Sequence, residues 1–442
     1  MFDWASQPYA TLLLTFIFGP YFAAIVADSL MAGGLAEDAA DARAQTMWSL
    51  GQTVAGLIVA FSAPFLGAVA DASGRRMPWI WGFSALYVFG AGALWWTYPD
   101  ASTAPLMLIA FGIGFIGLEF TTIFTNALLP DLGPRDEVGA ISGSGFALGY
   151  AGGVISLLLM LLLFVEQASG TTLIGLSPLF GLDPAAREGT RFVGPFTAIW
   201  FVIFMAFFFA WVREDPRPAG PRTTVAEALS GLKKTLFSLN ARRSLFAYLG
   251  SSLMYRDALN GLYGFGGVYA TLVLDWSITQ IGIFGIVGAI TAAMFSWLGG
   301  RADRAFGPKP VILTCIVILI AVCATIVGMT REAIFGIPLA PGSTLPDTVF
   351  YICGATIGGA GGALQAASRS MMVRHADPDR PAEAFGLYAL SGKATAFLAP
   401  ALIGLATFAT GSARLGVSPL ILLFLIGLIL LVWVNPLGET EE

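Results

Sequence analysis

Long apolar runs, separated by short clusters of charged and turn-forming residues, repeat along this 442-residue chain from end to end. A helix that crosses the roughly 30 Å hydrocarbon core of a bilayer needs about 20 mostly apolar residues. Runs of that length fall at 8–29, 46–70, 78–97, 104–129, 138–165 and 192–212 in the first half. They recur at 243–272, 278–299, 309–330, 346–372, 383–410 and 417–434 in the second. Lipid offers no hydrogen-bond partner to bare backbone, so runs this long are helical. The pattern therefore predicts an all-α membrane protein of about twelve transmembrane helices. It predicts an N-terminal bundle over 1–212, a linker over 213–242 and a C-terminal bundle over 243–442.

The loops between the runs are asymmetric in charge. One set carries Arg75, Arg76, Arg135, Arg213, Arg217, Arg222, Lys233, Lys234, Arg242, Arg243, Arg301, Arg304, Lys309, Arg369, Arg374 and Arg380. The other carries only Arg43, Arg187, Arg191, Arg331 and Arg414. Basic loops stay inside, so both termini are expected in the cytoplasm of a cell whose inner membrane the chain spans. In the linker, Val225, Leu229, Leu232 and Leu236 lie on one helical face with Lys233 and Lys234 beside them, which predicts an amphipathic helix on the inner leaflet. Met1 to Ala10 has no basic region ahead of its first apolar run, so no cleavable signal peptide is expected.

Composition agrees with lipid as the solvent. Hydrophobic residues make up 56% and charged residues 12%, with a mean hydropathy of +0.77; soluble domains carry about 25% charged residues. Cys315, Cys323 and Cys353 all fall inside apolar runs, with neither disulfide nor metal spacing. His375 is the sole histidine, which excludes a multi-histidine metal site or relay. The chain has no Gly-x-x-x-x-Gly-Lys-Ser/Thr loop for ATP and no nucleophile–base constellation, so neither a pump nor an enzyme is expected. No cofactor, metal or nucleic acid is expected; the partners are the bilayer and a small solute, and the chain reads as a monomer.

One motif occurs twice. Gly67-Ala68-Val69-Ala70-Asp71 is followed by Gly74, Arg75 and Arg76 after the second run. Gly299-Gly300-Arg301-Ala302-Asp303 is followed by Arg304, Gly307 and Lys309 after the eighth. A glycine turn with an acid at one helix end, and bases able to reach that acid or a neighbouring helix's C-terminal carbonyls, makes a latch. This repeat resembles the signature loop of the major facilitator superfamily, which implies two six-helix bundles around a cavity lined by spans one, four, seven and ten. Small residues open the fifth and eleventh runs as a fainter echo (Gly145 to Tyr150, Leu387 to Gly392).

Further strings sharpen the likeness. They are Phe2-Asp3-Trp4-Ala5 with Tyr9-Ala10-Thr11, Asn126-Ala127-Leu128-Leu129-Pro130, Gln365-Ala366-Ala367-Ser368-Arg369-Ser370, and Glu383 through Lys393. Together they resemble the bacterial relatives of the fungal vacuole effluxer (autophagy-related) family, which implies transport and, by analogy with fungal members, amino-acid export. Gln7-Pro8 departs from the small polar pair expected ahead of Tyr9.

Charged groups at mid-bilayer depth cost about 2.5–3.5 kcal/mol each on insertion scales and mark cavities or partners. Glu119, Thr122 and Asn126 form one polar stripe in the fourth run. In the seventh, Arg256, Asn260 and Tyr263 share a stripe, while Asp257 points about 100° away. Lys393 lies deep in the eleventh run and calls for a partner, Asp257 or a bound anion. Glu119, Asn126, Arg256, Asp257, Asn260, Tyr263 and Lys393 are thus candidate substrate or proton-coupling residues. Asp71, Arg75, Arg76, Asp303, Arg304, Lys309, Gln365 and Arg369 are candidate gate or latch residues. Asp3, Gln7 and Tyr9 are read as gating or capping at the mouth of the first run, and Glu166 at the outer end of the fifth is read as solvated. The expected function is a secondary transporter of small polar or zwitterionic solutes, amino acids first, by alternating access. The alternatives are a carrier of lipids or amphipathic drugs, and a membrane assembly factor built on a transporter fold.

Overall fold

A computed structural model of the chain describes residues 1–167, 169–214, 242–276, 278–393 and 395–438. Among them, the first six apolar runs form α1 (Phe2–Ala32), α2 (Glu37–Ala72), α3 (Met77–Ala93), α4 (Ala104–Asn126), α5 (Val138–Leu163) and α6 (Val193–Trp211). The second six form α7 (Arg243–Leu274), α8 (Ile278–Phe306), α9 (Pro308–Gly328), α10 (Leu345–His375), α11 (Pro381–Thr410) and α12 (Ser418–Leu431). Taken with the short helical turns that adjoin them (α3 on to Trp96, α12 back to Ala413), eleven of these are long and apolar enough to cross a membrane. The exception is α7, diluted by Arg256, Asp257 and Asn260, although its 32 residues span about 48 Å. A short hairpin pairs Ala333–Ile334 with Ile337–Pro338 between α9 and α10.

The described chain divides into two compact units. One holds Met1–Ser62, Gly74–Thr125 and Leu148–Ala219; the other holds Ala63–Ser73, Asn126–Ala147 and Gly220–Glu442. The division is not a single cut in the linker, because Ala63–Ser73 and Asn126–Ala147 pack with second-half helices. The expected amphipathic helix at 225–237 lies outside the described residues.

In the first unit, α1 starts at Phe2, six residues earlier than the apolar run suggests, so Pro8 lies inside it. Proline has no N–H for the carbonyl one turn back. The orphaned Trp4 carbonyl is instead met by the indole N–H of Trp200 on α6 at 3.0 Å, with the two indoles 5.6 Å apart. From Tyr9 to Phe16 the helix widens into a π-helix, then resumes as α-helix at Phe18. Such wide turns are rare and concentrate at functional sites. Tyr9 is fully buried rather than standing at a mouth, and its hydroxyl donates to the Phe111 carbonyl at 2.5 Å. Trp200→Phe removes the indole donor that the Trp4 carbonyl accepts from. The expected cost is about 1–3 kcal/mol, read as a lower Tm of the detergent-solubilised protein.

Glu166 is not solvated. It is 4% exposed and accepts from the Thr190 N–H at 3.1 Å and the Thr190 hydroxyl at 2.5 Å, with the Arg187 Nε 3.2 Å away. Arg191, 1% exposed, donates twice to the Trp95 carbonyl (3.1 and 2.6 Å) and lies over the Tyr98 ring. Such partners stabilise a buried carboxylate, and the segment after α5 folds back to provide them.

In the second unit, α11 is two helices, α11a (Pro381–Lys393) and α11b (Leu398–Thr410), separated by the turn Thr395–Phe397. Pro400 explains the interruption. It is tolerated in the first turn of α11b, but its ring excludes a helical carbonyl at Ala396.

Candidate functional site

The repeated motif places an acid at a joint, a seam of close-packed small residues, twice inside the second unit. In the first copy, the Asp71 carboxylate at the end of α2 accepts the Ala382 N–H at 3.2 Å and the Glu383 N–H at 2.8 Å. These are the free donors of the first turn of α11a, where the helix dipole also favours an anion. One turn earlier, Gly67 lies so close that a Cβ would collide with the Ala382 carbonyl, and a Cβ on Gly386 would strike the Ala63 carbonyl.

In the second copy, Asp303 at the end of α8 is 1% exposed and lies against Gly139 in the first turn of α5, with Arg374 3.8 Å away. Gly143 and Gly300 meet so closely that a Cβ on either would collide with the other's backbone. In each copy an acid at the end of an even-numbered helix lies at the N-terminus of an odd one, across a seam of small residues. Asp71 accepts the N–H groups there, whereas both Asp303 carboxylate oxygens are buried without a hydrogen-bond partner among the described residues, with Arg374 as the neighbouring charge.

The basic residues of the two motifs have other roles. Arg76 is 2% exposed; its N–H and that of Met77 donate to the Glu214 carboxylate at 2.8 Å, so the first residue beyond Arg213 caps α3 within the first unit. Arg75 is exposed. Arg304 pairs with Glu137 at 3.1 Å on the surface. The Lys309 ammonium donates to the Val432 and Val434 carbonyls (3.2 and 2.7 Å) just past α12, the C-terminal capping that its place in the motif suggests.

Arg369 on α10 binds the same cluster. It is 5% exposed, and its Nε donates to the Ser142 hydroxyl at 2.9 Å. Its two remaining nitrogens reach the Ser142 carbonyl at 2.8 Å and the Asn126 Oδ1 at 3.3 Å, and its guanidinium lies over the Phe146 ring. Asn126, grouped with Glu119 on sequence, therefore belongs to the Arg369 cluster. Gln365, one turn earlier, is half-buried.

The α7 stripe is open. Asn260 and Tyr263 are exposed and Arg256 is half-buried, although all three lie within a helix of membrane-crossing length. The Tyr263 hydroxyl lies over Gly361 of α10, where a Cβ would displace it. Arg256 donates to the Tyr388 carbonyl at 3.1 Å and stacks over its ring at 4.1 Å. Asp257, 2% exposed, accepts the Ala399 N–H at 2.8 Å and forms no ion pair with Lys393 among the described residues. Lys393 is half-buried at the end of α11a. In the first unit, Glu119 and Thr122 lie half-buried on one face of α4.

Ser142, Gly139, Glu214 and Tyr388 are site residues that the sequence did not single out for a role. Gly139 and Gly143 could have been found from their spacing, which matches Ala382 and Gly386 in the other half.

The fold is that of solved major facilitator transporters. The proton:xylose symporter XylE superposes with a TM-score of 0.68 at 13% identity, over 97% of this chain and 92% of that one. The human organic anion transporter MFSD10 gives 0.67 at 18% identity, covering 97% of each. The family described as vacuole effluxer Atg22-like matches residues 41–438, and the chain belongs to it. An MFS-type transporter of Bacillus subtilis, YxiO, is 25% identical over the whole of this chain and 95% of its own length. Autophagy-related protein 22-2 of Aspergillus niger is 26% identical over 62% of this chain, which spans about half of that longer protein (47%). The protein is thus a multi-pass membrane transporter and not an enzyme.

Proposed function

We propose that the protein is a secondary transporter that exports small polar or zwitterionic solutes, amino acids first, by proton-coupled alternating access. In this reading the chain is a monomer of two bundles, 1–212 and 243–442, in the inner membrane, with both termini and the repeated joints on the cytoplasmic side. The observation that carries it is the open stripe of Arg256, Asn260 and Tyr263 on α7. A guanidinium with an amide and a phenol beside it suits a carboxylate, since charge-assisted and neutral donors converge there. Glu119, half-buried on α4 of the first unit, is a separate candidate for substrate or proton coupling. Alternating access requires the two joints to open, which releases the Asp71 contacts with Ala382 and Glu383 and the Arg369 cluster.

The test is a thermal-shift screen of the purified protein against the amino acids. A stabilising solute is expected, with its shift lost in Arg256→Ala and reduced in Glu119→Gln. A solute that stabilises both variants as well as the wild type would remove these residues from the site.

A further inference from the structure

Adjacent residues of α7 hold the two pieces of α11 by opposite charges. The Arg256 guanidinium lies at the C-terminal end of α11a, bonded to the Tyr388 carbonyl and so close to Gly392 that a Cβ there would collide with it. The Asp257 carboxylate lies at the N-terminal end of α11b, where its Oδ2 accepts the N–H of Ala399. Each charge is of the sign that its helix end favours. Gly261, one turn along α7, approaches Ala399 and Leu420 too closely for a side chain, so the start of α11b is pressed onto Asp257.

The clamp leaves one atom unserved. Asp257 Oδ1 is buried and has no hydrogen-bond partner among the described residues. The neighbouring elements offer no counter-charge. Over Leu398–Thr410 and Ser418–Leu431, α11b and α12 carry no ionisable side chain. On α11a the ionisable groups are Glu383 in its first turn, Tyr388, which Arg256 covers, and Lys393, which forms no pair with Asp257. The charged groups of α10 lie toward its ends, Asp347 with Arg331 at one and Arg369 to His375 at the other. On α7 itself Arg256 is turned away, and Tyr255 bonds Ser368. A bare carboxylate oxygen in such a place costs several kcal/mol, and neutralisation relieves it.

We propose that Asp257 is the residue that carries the transported proton, at a site formed by its free Oδ1 and the break in α11. Protonated, the carboxyl is neutral and α11b stays docked through Ala399. Once deprotonated, the carboxylate needs water or a cation, and α11b must shift to admit it. Loading and release of the proton are thereby tied to the position of a half-helix, a recurrent device in transporters with interrupted helices. The inference deepens the coupling part of the function proposed above and rests on it.

Infrared difference spectra of the purified full-length protein, taken between acidic and alkaline buffer, test this without any solute. A protonated-carboxyl band is expected that titrates in the wild type, is lost in Asp257→Asn and persists in Asp100→Asn, a variant of an exposed loop acid. Asn keeps an acceptor for the Ala399 N–H, and Asp257→Glu, which retains a titrating band at a shifted position, guards against misfolding of the first variant. A band unchanged in Asp257→Asn overturns the proposal. So does stabilisation by sodium chloride over potassium chloride that Asp257→Asn abolishes, which would make the site one for Na⁺. A failed solute screen with the band intact would count against the amino-acid reading alone.

Discussion

Replacing Arg369 by alanine is expected to lower stability by about 2–4 kcal/mol, because it strands buried acceptors instead of removing a surface charge. Arg369 holds the Ser142 hydroxyl and carbonyl and the Asn126 amide together, at 5% exposure. The Ser142 hydroxyl in turn donates to the Ala366 carbonyl, so the chain α4–α10–α5 is closed by one guanidinium. Arg369→Lys is expected to recover little, since an ammonium cannot reproduce a planar fork with three separate donors. The effect is read in two ways. The Tm falls in both variants. In a background lacking Cys315, Cys323 and Cys353, a cysteine in place of Ala366, which is 1% exposed, resists maleimide with Arg369 present and reacts quickly without it. Equal labelling rates would mean that Arg369 is not what holds the cluster shut.

A leucine at Gly143 is expected to be at least as damaging, by overpacking. The nearest atoms are backbone, the Ser296 carbonyl and the Gly300 Cα, and backbone cannot swing aside as a side chain can. Overpacking of cores costs about 1–3 kcal/mol and more where nothing gives, so a loss of about 3 kcal/mol or forced separation of α5 from α8 is predicted. Gly56→Leu in α2 is the control. No atom lies within 4 Å of the position a Cβ would take there, and leucine is the better helix former, so the Tm should hold or rise. A Gly143→Leu protein as stable as the control variant would show that the α5–α8 seam is not closely packed. The same substitution at Gly67 tests the other copy of the joint.

Much of this architecture is legible in the sequence because lipid reduces the problem to one variable. The twelve runs give twelve helices, and most ends agree within a few residues. The interruption of α11 escapes a hydropathy reading, since the broken segment is as apolar as an unbroken one; Pro400 was the available signal. The early start of α1 escapes for the opposite reason, because Phe2–Pro8 includes polar residues that pack inside.

At the site, the repeated acids are visible as a motif, but their partners are not. Asp71 accepts from backbone N–H groups of a segment hundreds of residues away, and backbone donors leave no mark in a sequence. Asp303 lies against Gly139, well over a hundred residues away, a contact that a glycine marks no better. The burial of Glu166 escapes a sequence reading for a related reason. Its partners, Thr190 and Arg187, lie across a loop whose return toward α5 no periodicity announces. Asn126 shares a helical stripe with Glu119, yet the second unit claims it through Arg369.

The most direct test of the central claim is counterflow in proteoliposomes. Vesicles preloaded with an unlabelled amino-acid mixture and diluted into trace radiolabelled amino acids should accumulate label transiently, without any imposed gradient. The account predicts such accumulation for the wild type and its loss in Arg256→Ala, with an imposed pH gradient then driving net uptake. Label that never exceeds the level of protein-free vesicles, for any of the amino acids and with the protein shown to be folded and inserted, would contradict it.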